Sequence, residues 1–113
     1  MSFGRRGRLH TVDSDRGAWV LGPSVGRADG PWLCAELADR LRGTRGADAP
    51  YTVDITNLVD PDVGTVETLA RLQLTARRFG HRLQFRVDLR LAGPRLRDLI
   101  TLTGLEAVLP LIR

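Results

Sequence analysis

The sequence predicts an α/β domain: a mixed sheet of four to five strands backed by helices, in the order β-β-α-β-α-β-α and a C-terminal piece that is strand or helical turn. Three observations carry this. Apolar residues recur at helical spacing in three stretches, each closed by glycine. Between and before them lie short β-rich runs, one of which, RLQFRVDL, alternates Leu83, Phe85, Val87 and Leu89 with polar residues. The chain opens on two strand-like runs joined by DSDRG, the composition of a hairpin connector, which makes one antiparallel pair and hence a mixed sheet.

In chain order, residues 1–7 have little to pack and are expected to be mobile. The domain takes 8–113. RLHTV and AWVLG are the first two strands. After the break PSVGRADGP, the run WLCAELADRLRG sets Leu33, Leu37 and Leu41 four residues apart, an amphipathic helix with Asp29 as its expected cap, Pro31 in its first turn and Gly43 as its stop. YTVDITNL is long enough to cross a sheet. From Val66 onward Leu69, Ala70, Leu72, Ala76 and Phe79 share a face, and Gly80 ends that helix. Pro94 and Gly104 bracket a third helix carrying Leu96, Leu99, Ile100 and Thr103. LEAVLPLI closes the chain as strand or turn.

With 113 residues, 42% of them hydrophobic, the chain can bury one core without staples. The single cysteine, Cys34, forms no internal disulfide, and two histidines, His10 and His81, do not make a zinc cluster. Cys34 lies on an apolar helix side and is expected in the core; His81 follows a helix stop and is expected to be structural. No apolar run reaches the roughly 20 residues of a membrane helix and the N-terminus lacks a secretory core, so the cytoplasm is the default location and no membrane insertion is expected. All 17 positive residues are arginine, a composition that points to codon bias rather than to phosphate ligands. The arginines are scattered apart from Arg5, Arg6 and Arg8, and with 5% aromatics there are few stacking platforms, so nucleic acid is not the expected partner.

The junction VDPDVGTVETLARL holds most of the sequence's chemistry. Asp54, Asp60 and Asp62 lie at and beyond a strand's carboxyl end, where three acids could bind Mg²⁺ in a phosphoacceptor or an enzyme. Such a site would want a lysine, and the chain has none. The plainer reading makes Asp62 the cap of the following helix, with Thr65 as the alternative cap. GPSVGRADG lacks the spacing of a phosphate-cradling loop, and no GxSxG elbow is present.

Several segments together resemble the STAS domain of sulphate transporters and anti-sigma-factor antagonists: Val53-Asp54-Ile55-Thr56; the junction followed by Val66, Leu69, Ala70 and Leu72 with Gly80; and Pro94-Arg95-Leu96-Arg97-Asp98-Leu99-Ile100 leading to Thr103-Gly104-Leu105. The likeness runs from about Leu9 to the C-terminus. It implies a STAS-like sheet, no cofactor, no enzymatic activity and a cytoplasmic signalling role in the regulation of transcription through protein binding. The implied partner is an anti-sigma factor kinase, or, in the alternative, the ATPase of an ABC-type transporter with this chain as accessory subunit. The family's junction reads Asp-Ser-Ser/Thr-Gly, its second hydroxyl phosphorylated in the antagonists. Counting back from Gly80 puts Asp62 on that Asp, Val63 and Gly64 on the hydroxyl positions and Thr65 on the glycine, so the resemblance implies binding without the usual serine switch, and Thr65 could take a phosphoryl group only in a shifted register. By position, Asp60, Asp62, Gly64, Thr65, Glu67 and Thr68 are the implied contacts, with Arg71, Arg27 and Asp29 beside them; for Arg27 and Glu67 a solvated loop is an equal reading.

Overall fold

Alternation decides which way the sheet faces. In the computed structural model, which describes residues 9–13, 18–42, 50–88, 90 and 93–112, Leu83 and Phe85 are buried while Gln84 and Arg86 are half-buried, and the same alternation puts Trp19, Leu21 and Val53 inside. The strands are β1 (Leu9–Asp13), β2 (Trp19–Pro23), β3 (Tyr51–Asp54), β4 (Leu83–Arg86) and β5 (Leu111–Ile112). They form one sheet in the order β1-β2-β3-β4-β5, with β1 antiparallel to β2 and the other neighbours parallel. The mixed five-stranded α/β sheet is therefore present. The N-terminal segment with Arg5, Arg6 and Arg8, the hairpin connector 14–17, the helix stop Gly43 and Leu89 lie outside the described residues.

Three helices fill the crossovers: α1 (Gly30–Arg42), α2 (Val63–Arg78) and α3 (Gly93–Thr103). α1 packs along α2 and α2 touches α3, so all three cover one face of the sheet. Leu33, Leu37 and Leu41 of α1, Val66, Leu69, Leu72 and Ala76 of α2, and Leu96 and Ile100 of α3 meet the buried strand residues in a single core. Each fully buried Leu contributes about 1.5–3 kcal/mol relative to exposure. Cys34 packs half-buried against this core and His81 is buried.

The other sheet face is polar. There Gln84 Nε2 donates to Thr52 Oγ1 at 2.9 Å and Arg86 Nη1 lies 3.8 Å from Asp54 Oδ2.

Several expectations are corrected. YTVDITNL pairs only as far as Asp54, because Asp54 Oδ1 accepts from both the Thr56 amide and the Thr56 hydroxyl and turns the chain out of the sheet. RLQFRVDL pairs only over Leu83–Arg86, because β3, its partner across all four residues, ends at Asp54 opposite Arg86, and β5 pairs only with Phe85 and Arg86. Phe79 lies past the last turn of α2 and is 38% exposed, not in the core. Thr103 is exposed as well. Gly80 does stop α2, at φ 77°, where a side chain would be strained.

Candidate functional site

The carboxyl edge of the parallel strands gathers two loops, Ser24–Gly26 with a short 3₁₀ turn at Arg27–Asp29, and the junction from Ile55 to Asp62. The strand order runs without reversal, so this edge lacks the crevice in which doubly wound sheets hold ligands. It presents a surface instead.

The junction is clamped at both ends. The Val59 amide donates to the Pro23 carbonyl at 2.7 Å, and Arg95 Nε donates to the Pro61 carbonyl at 3.1 Å. Between them Asp60 adopts φ 48°, a left-handed conformation that Asp tolerates better than most residues, immediately before a proline that normally disfavours it. Asp62 then caps α2. Its Oδ1 accepts from the Thr65 amide at 2.9 Å, and its own amide donates to Thr65 Oγ1 at 3.1 Å. The Thr65 amide bond is the main reason that the Asp62 carboxyl sits below the usual carboxylate range; partial desolvation opposes it, while the Thr65 hydroxyl, the Gly64 amide and the Arg27 charge assist.

Thr65 and Thr68, both buried, fasten this helix start to the neighbouring loop. Thr65 Oγ1 donates to the Val25 carbonyl at 2.6 Å and Thr68 Oγ1 to the Gly26 carbonyl at 2.9 Å. Asp29, expected to cap α1, turns the other way and closes the 3₁₀ turn: its Oδ2 accepts from the Gly26 amide at 2.8 Å, and its Oδ1 lies 3.4 Å from Trp32 Nε1. The turn wins because it runs directly into α1 at Gly30.

Gly64 is where the two loops meet. A Cβ there would stand 3.2 Å from Asp62 Oδ1 and 3.3 Å from the Arg27 backbone nitrogen, so the glycine permits an approach that any side chain would push apart. Thr65, which could take a phosphoryl group only in a shifted register, is 2% exposed with its hydroxyl committed to Val25. A phosphoryl group fits there only after the Val25–Arg27 loop has opened.

On the outside, Arg27 Nε donates to Glu67 Oε1 at 2.6 Å, bridging the 3₁₀ turn and the first turns of α2. Both groups are well exposed, so solvent screens the pair and it adds little to stability, and Glu67 raises the Arg27 pKa through hydrogen bonding first and charge second. Arg71 lies one helical turn on, its side chain alongside Gly30.

Arg27, Asp62, Gly64, Thr65, Glu67, Thr68 and Arg71 thus come together as one patch, with Asp60 exposed at its edge and Asp29 behind it. Two contributors were missed: Val59 and Val63, which are 53% and 46% exposed at the junction. For Val63 the available signal was an apolar residue directly after the Asp62 cap, at the first position of the helix.

The proposed acidic triad does not form. Among the described residues no three His, Cys, Asp or Glu side chains converge to hold a metal ion; Asp54 is occupied by Thr56 and faces Arg86, and Asp62 points into its helix.

Compared with known proteins, the chain matches no family model and no curated sequence. No helix among the described residues is long and apolar enough to cross a membrane.

Proposed function

We propose that the chain is a non-enzymatic, cytoplasmic protein-binding module that regulates an ATPase-type partner in the manner of anti-sigma-factor antagonists, with the start of α2 as its contact surface and without a phosphorylation switch there. The observation that carries the reading is the pairing of exposed Val59 and Val63 with a charged rim of Arg27, Asp60 and Glu67 on a backbone held by the Asp62–Thr65 box and by the Thr65 and Thr68 hydroxyls. Protein interfaces combine an apolar centre with a polar rim, and a surface held rigid before contact loses less freedom on binding.

Two residues support the lack of a switch. Gly64, at the position of the usual phosphorylated hydroxyl, has none, and the hydroxyl of Thr65, the shifted-register alternative, is buried. Binding is then governed by the amounts of the two proteins and the nucleotide state of the partner.

The test is direct titration of this protein with purified anti-sigma-type ATPase kinases of its own organism, in ATP and in ADP. Saturable binding in at least one nucleotide state is expected, with no phosphate transferred to the chain. Absence of binding in both states would reject the reading. Binding only to a transporter ATPase would replace it with the accessory-subunit role.

A further inference from the structure

At the opposite edge of the sheet from the junction, where β3 and β4 begin, a cavity of about 300 Å³ opens between the end of α2 and the segment leading into β5. This is the small end of the roughly 300–1,000 Å³ range of small-molecule sites. Gln73 frames it. Its Nε2 donates to the Leu83 carbonyl at 3.1 Å and the Val108 carbonyl at 2.7 Å, and its Oε1 accepts from the Leu83 amide at 2.8 Å. Buried and held by these three bonds to the backbone, Gln73 fixes the wall, and neither of its N–H donors is left for a ligand.

The charge comes from Arg77 and Arg82, which both line the cavity. Among the described residues neither is paired with an acid, and no carboxylate lines the cavity. The nearest acid along the chain, Glu106, is turned onto the Thr101 hydroxyl at 3.2 Å. Arg77 lies in the last turn of α2, where a cation is favourable in its own right, but the end of a helix offsets only about half a charge, and Arg82 lies beyond it. Two arginines lining one cavity without a carboxylate leave a surplus of positive charge. Pro50, Val108 and Pro110 supply apolar wall beside it.

We infer that this cavity binds a small organic anion, its phosphate or carboxylate held by Arg77 and Arg82 and its apolar part against Pro50, Val108 and Pro110. Guanidinium groups suit such oxyanions because their N–H donors match two acceptor oxygens at once. The site is independent of the partner surface: the two lie at opposite ends of the strands, and either assignment can fail without the other.

The experiment is a calorimetric titration of the full chain with phenyl phosphate, inorganic phosphate and phenol, repeated for Arg77→Gln, Arg82→Gln and the exposed neighbour Arg78→Gln. Amide spectra of each variant establish that it is folded. Phenyl phosphate should bind once per chain, with inorganic phosphate and phenol each weaker by at least about tenfold, because each satisfies only half of the site. Arg77→Gln and Arg82→Gln should each weaken phenyl phosphate by at least about fivefold, and Arg78→Gln should not. No saturable binding, inorganic phosphate or phenol binding as tightly as phenyl phosphate, or equal losses in all three variants would overturn the assignment.

Discussion

Replacing Thr65 with valine keeps the shape of the side chain and removes only the hydroxyl, so its effect measures how firmly the two loops of the binding edge are joined. The hydroxyl donates to the Val25 carbonyl at 2.6 Å and accepts from the Asp62 amide at 3.1 Å, and the residue is 2% exposed. A buried carbonyl left without a donor costs about 1–3 kcal/mol, and the half-buried amide bond adds roughly 0.5–1 kcal/mol. Thr65→Val should therefore lose about 1.5–4 kcal/mol. For a chain of 113 residues this means a Tm lower by about 6–16 °C and, at an m value near 1.5 kcal/mol/M, a urea midpoint lower by roughly 1–3 M. Thr75→Val is the control, because its exposed hydroxyl bonds only the Arg71 carbonyl of its own helix and should cost under about 0.5 kcal/mol. Equal, small losses in the two variants would refute the reasoning, since water would then be replacing the Val25 contact without penalty.

Leu69→Ala, at a residue with no solvent exposure, should cost about 2–5 kcal/mol in the same urea experiment. Because the Asp62 carboxyl is held below its ordinary range, its cap stabilises the fold above the unfolded value near 3.9 and loses that effect as pH falls through the lower folded value; the stability gap between wild type and Asp62→Ala should be about 1 kcal/mol at neutral pH and shrink below about pH 4. At the left-handed position Asp60, valine should be less stable than glycine by about 1–2 kcal/mol, as read from paired thermal melts.

The helices were legible because their burial follows one period: Leu33, Leu37 and Leu41, then Val66, Leu69, Leu72 and Ala76, with Gly80 and Gly104 in left-handed stops. Asp62 was legible as a cap because capping is local. Strand length was not, because pairing depends on what the neighbour offers: β3 has the composition to continue past Asp54, but the Asp54–Thr56 turn takes it away. Asp29 was misassigned because two local turns competed for one carboxylate. The closure at Gly64 was out of reach of any sequence pattern, since it depends on the Arg27 backbone arriving from a distant loop to within 3.3 Å of the missing Cβ.

The central claim, that the start of α2 is a partner surface, is tested most directly by the Kd of an anti-sigma-type ATPase kinase from the same organism for wild type, Val63→Arg and Leu102→Arg. Both substituted residues are exposed, at 46% and 81%, so both variants should remain folded. The account predicts that Val63→Arg weakens binding by at least about 30-fold, roughly 2 kcal/mol, while Leu102→Arg on α3 leaves it unchanged. Equal affinities for all three proteins, or equal losses in the two variants, would contradict it.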